Sequence, residues 1–220
     1  MATYAEENYL KAIFKLGGKH QKPVSTNALA AEMNTRASSV TDMMKKLSGK
    51  KWIRYKKYQG ATLTKKGKQI ALSVVRKHRL WEVFLVNKLH FAWDEIHEIA
   101  EQLEHIQSET LIQRLDQFLG HPNQDPHGDP IPDKDGNISP ADGETLSNLT
   151  PGNYASVLSV SNHTPEFLKY IDSIKLTPGT IFRVIKQYDY DYSFVLEVQG
   201  KELLLSEQVA EQIIVQKHSK

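Results

Sequence analysis

The 220-residue chain contains no cysteine. That absence excludes a disulfide framework, a thiolate zinc finger, an iron–sulfur site and a cysteine nucleophile, and leaves the redox compartment open. No apolar run approaches the roughly 20 residues that a membrane span needs. The opening Met1-Ala-Thr-Tyr-Ala-Glu-Glu7 lacks a basic stretch leading into an apolar one. The expectation is a soluble cytoplasmic chain without a secretory signal or membrane partner. His-Glu-x-x-His, a glycine-rich phosphate loop and a nucleophile elbow are also missing, which removes the usual signatures of hydrolases and nucleotide enzymes. Asp133-x-Asp135-Gly136-Asn137 has its glycine at the fourth position, where a calcium loop needs it at the sixth, so it reads as a turn. No internal repeat or low-complexity tract occurs.

Acidic residues are scarce in one region only. Residues 1–70 hold 15 Lys+Arg and 4 Asp+Glu, a net +11; residues 71–220 hold 13 and 22, a net −9. The overall +2 hides this split. A basic first third suits a polyanion, because each phosphate it neutralises releases condensed counterions. An acidic remainder suits cations.

Hydrophobic spacing predicts helices over 4–17, from Ser25 as cap through Met33, and from about Ala37 to Leu47, followed by a hairpin of Trp52–Tyr55 and Ala61–Thr64. Three helices and a hairpin in seventy residues make a winged helix-turn-helix. Helical patterns continue over Lys66–Leu89, Ala92–Ile106 and Glu109–Leu119. Residues 120–152 hold six of the nine prolines and five of the twelve glycines and read as a linker or long loop. From 153 onward short alternating runs predict a small β-barrel, with one helix at 165–172 behind Thr164 and Pro165. The expected division is 1–70, a winged helix-turn-helix; 71–140, a helical domain; 141–152, a linker; and 153–220, the barrel; the metal, DNA and dimerisation roles of the first two follow from the residues and resemblance below. The fold class is α+β multidomain.

In a helix-turn-helix the second helix enters the major groove by its N-terminal turns. Those turns carry Arg36, Ser38, Ser39 and Thr41, with Lys45 and Lys46 one turn on. The hairpin tip adds Lys56, Lys57 and Tyr58. These are the candidate DNA contacts: small hydroxyls for close approach and lysines for phosphates.

The second constellation is His and Glu at helical spacing. His78 and Glu82 are i, i+4, while His97, Glu101, Glu104 and His105 fall at 0, +4, +7 and +8 on the next helix. A stripe of His and Glu cannot form a core face and repels itself unless a cation sits there. Two such helices can enclose a divalent ion. Oxygen and imidazole donors without thiolate favour Mn²⁺ or Fe²⁺, with Zn²⁺ admissible. A metal-dependent enzyme or a metal-sequestering protein with an incidental winged helix is the alternative. No pattern indicates a pocket for an organic ligand.

The order of these parts resembles the diphtheria-toxin-repressor family of metal-dependent transcriptional regulators, including its manganese-transport-regulator branch. The residues that carry the likeness are Glu7-Asn-Tyr-Leu-Lys-Ala-Ile-Phe-Lys-Leu16, Ala37-Ser-Ser-Val-Thr41, Leu63-Thr-Lys-Lys-Gly67, Arg76-Lys-His-Arg-Leu80 with Glu82, Glu101-Gln-Leu-Glu-His105 and His127-Gly-Asp-Pro-Ile-Pro132. The resemblance implies a homodimer that binds a palindromic operator in double-stranded DNA when loaded with metal, repressing metal-uptake genes, with an SH3-like C-terminal barrel. It implies a regulatory site of Asn8, Glu101, Glu104 and His105, and an ancillary site of His78, Glu82 and His97, completed by His163 and Glu166. Asp125 and His127 match ligands of streptococcal-type members. Glu101 stands where iron-type members have cysteine, which tilts the metal to Mn²⁺. Lys11 stands where the short manganese regulators have an acidic ligand.

Overall fold

A computed structural model describes residues 2–18, 20–139 and 143–218. Two compact units divide the chain. One holds the chain up to His78 with Glu101–Ile112 and Pro132–Ile138; the other holds Arg79–Ala100, Gln113–Ile131 and the chain from Ser139 onward.

In the first unit, α1 (Tyr4–Gly17) opens with a capping box. Thr3 Oγ1 accepts from the Glu6 N–H at 3.4 Å while Glu6 Oε2 accepts from the Thr3 N–H at 3.0 Å. After α2 (Thr26–Glu32), capped by Ser25, and α3 (Ala37–Gly49), the strands β1 (Ile53–Lys56) and β2 (Gly60–Leu63) pair antiparallel, Ile53 opposite Leu63. Leu10, Ile13, Leu29, Val40, Met44, Leu47 and Ala61 form the core between these elements. The next helix, α4 (Lys65–Leu89), starts against the wing. A Cβ at Gly67 would lie 1.9 Å from the Trp52 carbonyl oxygen, so only glycine lets that first turn pack there.

In the second unit, α5 (His97–Leu103) begins and α6 (Glu109–Phe118) ends. The strands β3 (Glu144–Thr145), β4 (Tyr154–Val160), β5 (Ile181–Gln187), β6 (Phe194–Val198), β7 (Lys201–Leu205) and β8 (Ile213–His218) form one antiparallel sheet in the order β3-β8-β4-β5-β6-β7. A 3-10 turn (Leu146–Asn148), α7 (Pro165–Ser173) and α8 (Glu207–Ala210) complete it. Leu146, Leu149, Leu168, Ile171, Phe182, Phe194 and Val215 fill its core, with Trp93 packed against them. The winged helix, the helical segment and the C-terminal β domain are the architecture that periodicity predicts.

Two expectations are corrected. The segment 141–152 is not a free linker. Residues 140–142 lie outside the described residues, but Glu144 and Thr145 pair with β8, and Leu146 and Leu149 are buried in the sheet's core. Second, the helix expected over 92–106 is only α5. Residues 93–95 form a turn in which Glu95 Oε2 accepts the Ala92 N–H, and Glu104 and His105 lie just past the helix end.

Candidate metal centre

The first cluster is built by α1, the α4 residue His78 and the segment following α5. His105 is buried, and its Nδ1–H donates to Glu7 Oε2 at 2.7 Å. Gln107 Nε2 donates to the other Glu7 oxygen at 3.0 Å, and Tyr4 lies edge-on to the imidazole. With Nδ1 committed, the lone pair of His105 is on Nε2, which lies 3.6 Å from Glu104 Oε1. Glu104 is 1% exposed. Its Oε2 accepts from Lys11 Nζ and from His78 Nδ1, each at 2.6 Å, and Glu101 Oε1 lies 3.7 Å from the same ammonium. Burial raises the Glu104 pKa, but the His78 bond and the Lys11 charge outweigh it and hold the carboxyl below its ordinary value. Buried Lys77 stands near Glu7, Glu104 and Glu109; burial pushes its ammonium down despite these acids.

These residues fit a hard divalent ion. Asn8 Oδ1 is buried and has no hydrogen-bond partner, an acceptor left open to a cation. Glu101, Glu104 and His105 Nε2 supply the remaining oxygen and imidazole donors, with no thiolate.

The second cluster lies within the other unit. One ligand atom each from Glu82, Asp125 and His127 lie within 4.8 Å of one another, and all three residues are buried. His97 Nδ1 is 3.7 Å from Glu82 Oε1. His163 stacks on His127 with ring centroids 4.9 Å apart, and its Nε2 lies 3.0 Å from the Val160 carbonyl oxygen. His127 Nε2 is 2.9 Å from the Trp93 carbonyl oxygen, so its Nδ1 faces Glu82 at 3.8 Å. Gly128 (φ +88°) permits this placement, because a Cβ there would meet the Leu158 carbonyl oxygen. Burial raises the Asp125 pKa well above the ordinary value, and the charges of Glu82 and Asp129 add to it against Arg79. Burial lowers the His127 pKa. Two buried carboxylates beside an uncharged imidazole is an arrangement that a cation completes. Glu166, expected here, is instead exposed on the first turn of α7 and is not in this group. Asp125 and His127 lie together with Glu82 in this group.

Of the residues expected to contact DNA, Arg36 before α3, Ser38, Ser39 and Lys45 on α3, and Lys56, Lys57 and Tyr58 at the wing tip are exposed. Lys57 Nζ sits 4.9 Å from the Tyr58 ring centroid. Two of the predicted contacts are engaged elsewhere. Thr41 Oγ1 donates to the Ala37 carbonyl at 2.9 Å, and Lys46 pairs with buried Glu6 at 3.0 Å.

Residues 1–61 match the iron-dependent repressor N-terminal DNA-binding domain, 64–133 the iron-dependent repressor metal-binding and dimerisation domain, and 144–217 the FeoA domain. The chain is 34% identical to the HTH-type transcriptional regulator MntR of Oceanobacillus iheyensis, over 55% of this chain and 81% of that one. The chain belongs to the iron-dependent repressor family. The repressor is also 32% identical to the iron-dependent repressor IdeR of Mycobacterium tuberculosis, where the match spans 57% of this chain and only 54% of that one. A solved manganese-dependent transcriptional repressor in complex with manganese superposes with a TM-score of 0.87 at 34% identity, over 96% of this chain and 98% of that one. ScaR with bound Zn²⁺ gives 0.78 at 34% identity, with the same two coverages. The family consists of metal-dependent, DNA-binding transcriptional repressors and not enzymes. No helix among the repressor's described residues is long and apolar enough to cross a membrane.

Sequence reasoning missed four participants in the repressor's clusters: Glu7, Gln107, Lys77 and Asp129. Glu7 carried a signal. It precedes Asn8 directly and is i, i+4 from Lys11, so the three lie on adjoining faces of α1. Gln107 and Asp129 carried none, since each acts through a fold-dependent neighbour.

Proposed function

We propose that this repressor is loaded by Mn²⁺, with Fe²⁺ next and Zn²⁺ admissible, and that as a homodimer it then binds a palindromic operator controlling metal-uptake genes. The regulatory ion is held by Asn8, Glu101, Glu104 and His105. A second ion is held by Glu82, Asp125 and His127, with His97 and His163 beside it. His78 steadies Glu104. The division into a DNA-binding domain up to about residue 70, a helical dimerisation domain and a C-terminal domain belongs to the same reading. Its partner being DNA, the cytoplasm is its compartment.

The observation that carries this reading is the meeting of α1, the first helix of the DNA-binding domain, with the segment 101–107 around Glu104 and His105. A divalent ion supplies two positive charges at this junction. The residues do the rest. Asn8 offers its open oxygen from α1. Glu7 fixes the His105 ring so that Nε2 points inward. His78 holds Glu104 in place by its hydrogen bond. Fixing the junction fixes the orientation of α3 for reading the groove. In a dimer the two recognition helices must match one DNA turn, about 34 Å. The oxygen-rich donor set without thiolate supports Mn²⁺ or Fe²⁺.

Substituting Glu104→Gln preserves size and removes the charge. The variant is expected to fold as the wild type does by circular dichroism and to lose metal-dependent DNA binding. Binding is measured by anisotropy on selected duplexes at fixed salt, with Mn²⁺, with Fe²⁺ and with chelator. Unchanged metal-dependent binding by the variant sinks the regulatory-site reading. Equal wild-type affinity with chelator and with every metal sinks the switch itself.

A further inference from the structure

Within the first cluster a positive charge of the chain already contacts the acids directly. Lys11 lies on α1 one turn beyond Asn8, so both side chains leave the same face of the helix. Its Nζ donates to Glu104 Oε2 at 2.6 Å, stands 3.7 Å from Glu101 Oε1 and 3.4 Å from His78 Nδ1. Its side chain is only 19% exposed, so the pairing with Glu104 is screened far less than an ordinary surface ion pair. The partners of this ammonium are two of the acids that the divalent ion needs. Asn8 Oδ1, buried without a hydrogen-bond partner, is a neutral oxygen that none of these Lys11 contacts engages.

We propose that Lys11 is a resident cation that competes with the metal: it neutralises Glu101 and Glu104 in the unloaded protein and sets the divalent-ion concentration at which the regulatory site fills. The inference rests on the metal-dependent reading above. It follows from charge and reach. An ammonium has one charge and a flexible four-carbon stem, whereas a divalent ion would bring two charges that both carboxylates could hold. In the unloaded protein Lys11 removes the mutual repulsion of Glu101 and Glu104, so the site does not spring open. Loading must overcome that pairing, either by turning the ammonium out to solvent or by binding beside its charge. Either course weakens the ion's hold. The site is thereby tuned to fill only when the metal is abundant, which a regulator of uptake requires.

The test uses the full-length protein and Mn²⁺ itself. Lys11→Met keeps the length of the stem and removes the charge; Lys11→Arg keeps the charge. Mn²⁺ affinity is measured by competition with a fluorescent chelator. Glu104→Gln serves to identify which equivalent of Mn²⁺ belongs to this site, since the second cluster binds its own. Lys11→Met is expected to bind that equivalent about tenfold or more tightly than wild type. Lys11→Arg is expected to stay near wild type. In chelator, Lys11→Met is expected to melt at a lower temperature than wild type, and its gain in melting temperature on adding Mn²⁺ is expected to be larger. Unchanged or weaker Mn²⁺ binding in Lys11→Met, with Glu104→Gln still losing one equivalent, overturns the role of Lys11 and leaves the metal switch intact. No equivalent lost in Glu104→Gln overturns the metal reading of the cluster, and the competition inference falls with it.

Discussion

Glu6 is fully buried and still charged, which needs explaining residue by residue. Burial raises its pKa, yet hydrogen bonds from Lys50 at 2.6 Å, from the Thr3 backbone and from Lys46 bring it from 4.5 down to about 2. The carboxylate thus ties the start of α1 to the end of α3. A carboxyl whose pKa is lower folded than unfolded stabilises the fold above its unfolded value and loses that contribution as pH falls through the folded one. The window here runs from about 4.5 down to about 2. Glu6→Gln is expected to cost about 1–3 kcal/mol at neutral pH. The stability difference between wild type and variant, measured by urea unfolding from pH 7 to 2.5, is expected to shrink across that window. A difference that stays constant with pH would show that Glu6 contributes by packing and not by charge. Asp125 has the opposite sign. Burial and the neighbouring charges of Glu82 and Asp129 raise its pKa well above the ordinary value, against the opposing charge of Arg79.

At the scale of elements, α3 and the wing sort their lysines into two kinds. Lys45, Lys56 and Lys57 are exposed, and Lys45 has only a loose 3.6 Å pairing with exposed Asp42. Lys46 is held by Glu6. Each lysine–phosphate ion pair adds about 0.9 to the steepness of log affinity against log salt. Alanine at Lys45, Lys56 or Lys57 is therefore expected to weaken operator binding and flatten that slope by about one unit each. Alanine at Lys46 is expected to lower stability and leave the slope nearly unchanged. A flattening at Lys46 as large as at Lys57 would contradict this sorting. The sequence made α3 and the wing legible because each has strong local marks: apolar spacing in α3 and a turn at Gly60 in the wing. It misjudged α5 for a physical reason. The His and Glu spacing from 97 to 105 is that of one helical face, but only the part to Leu103 is helical. Glu104 and His105 stay beside Glu101 through the turn that follows. Their partners Glu7 and Lys11 lie over ninety residues away in sequence, where no local pattern can signal them. The His and Glu of the cluster were thus readable as candidates, and the contacts that Lys11 and Glu7 make with them were not. Asp125 and His127 lie in a Pro- and Gly-rich stretch that reads as a linker, whereas here Gly128 packs closely against the backbone of β4.

At the scale of the whole molecule, the net +11 of residues 1–70 suits a polyanion and the net −9 of the remainder suits cations. The basic end alone is expected to give any duplex some affinity and α3 to read sequence, so the metal dependence is what coupling to the acidic part must supply. Coupling of two binding events is reciprocal: if Mn²⁺ tightens operator binding by some factor, operator tightens Mn²⁺ binding by the same factor. The expected factor lies in the range of about 5–150. Measuring all four sides of the cycle at one salt concentration checks it: operator affinity with chelator and with saturating Mn²⁺, and Mn²⁺ affinity of the Glu104-dependent site with and without operator duplex. Equal ratios mean that one switch carries the coupling. A larger ratio on the DNA side would mean that the second cluster also contributes, since saturating Mn²⁺ fills both sites while the metal titration follows only one. Glu82→Gln then decides between the two, because neutralising that buried carboxylate should bring the ratios together without abolishing either.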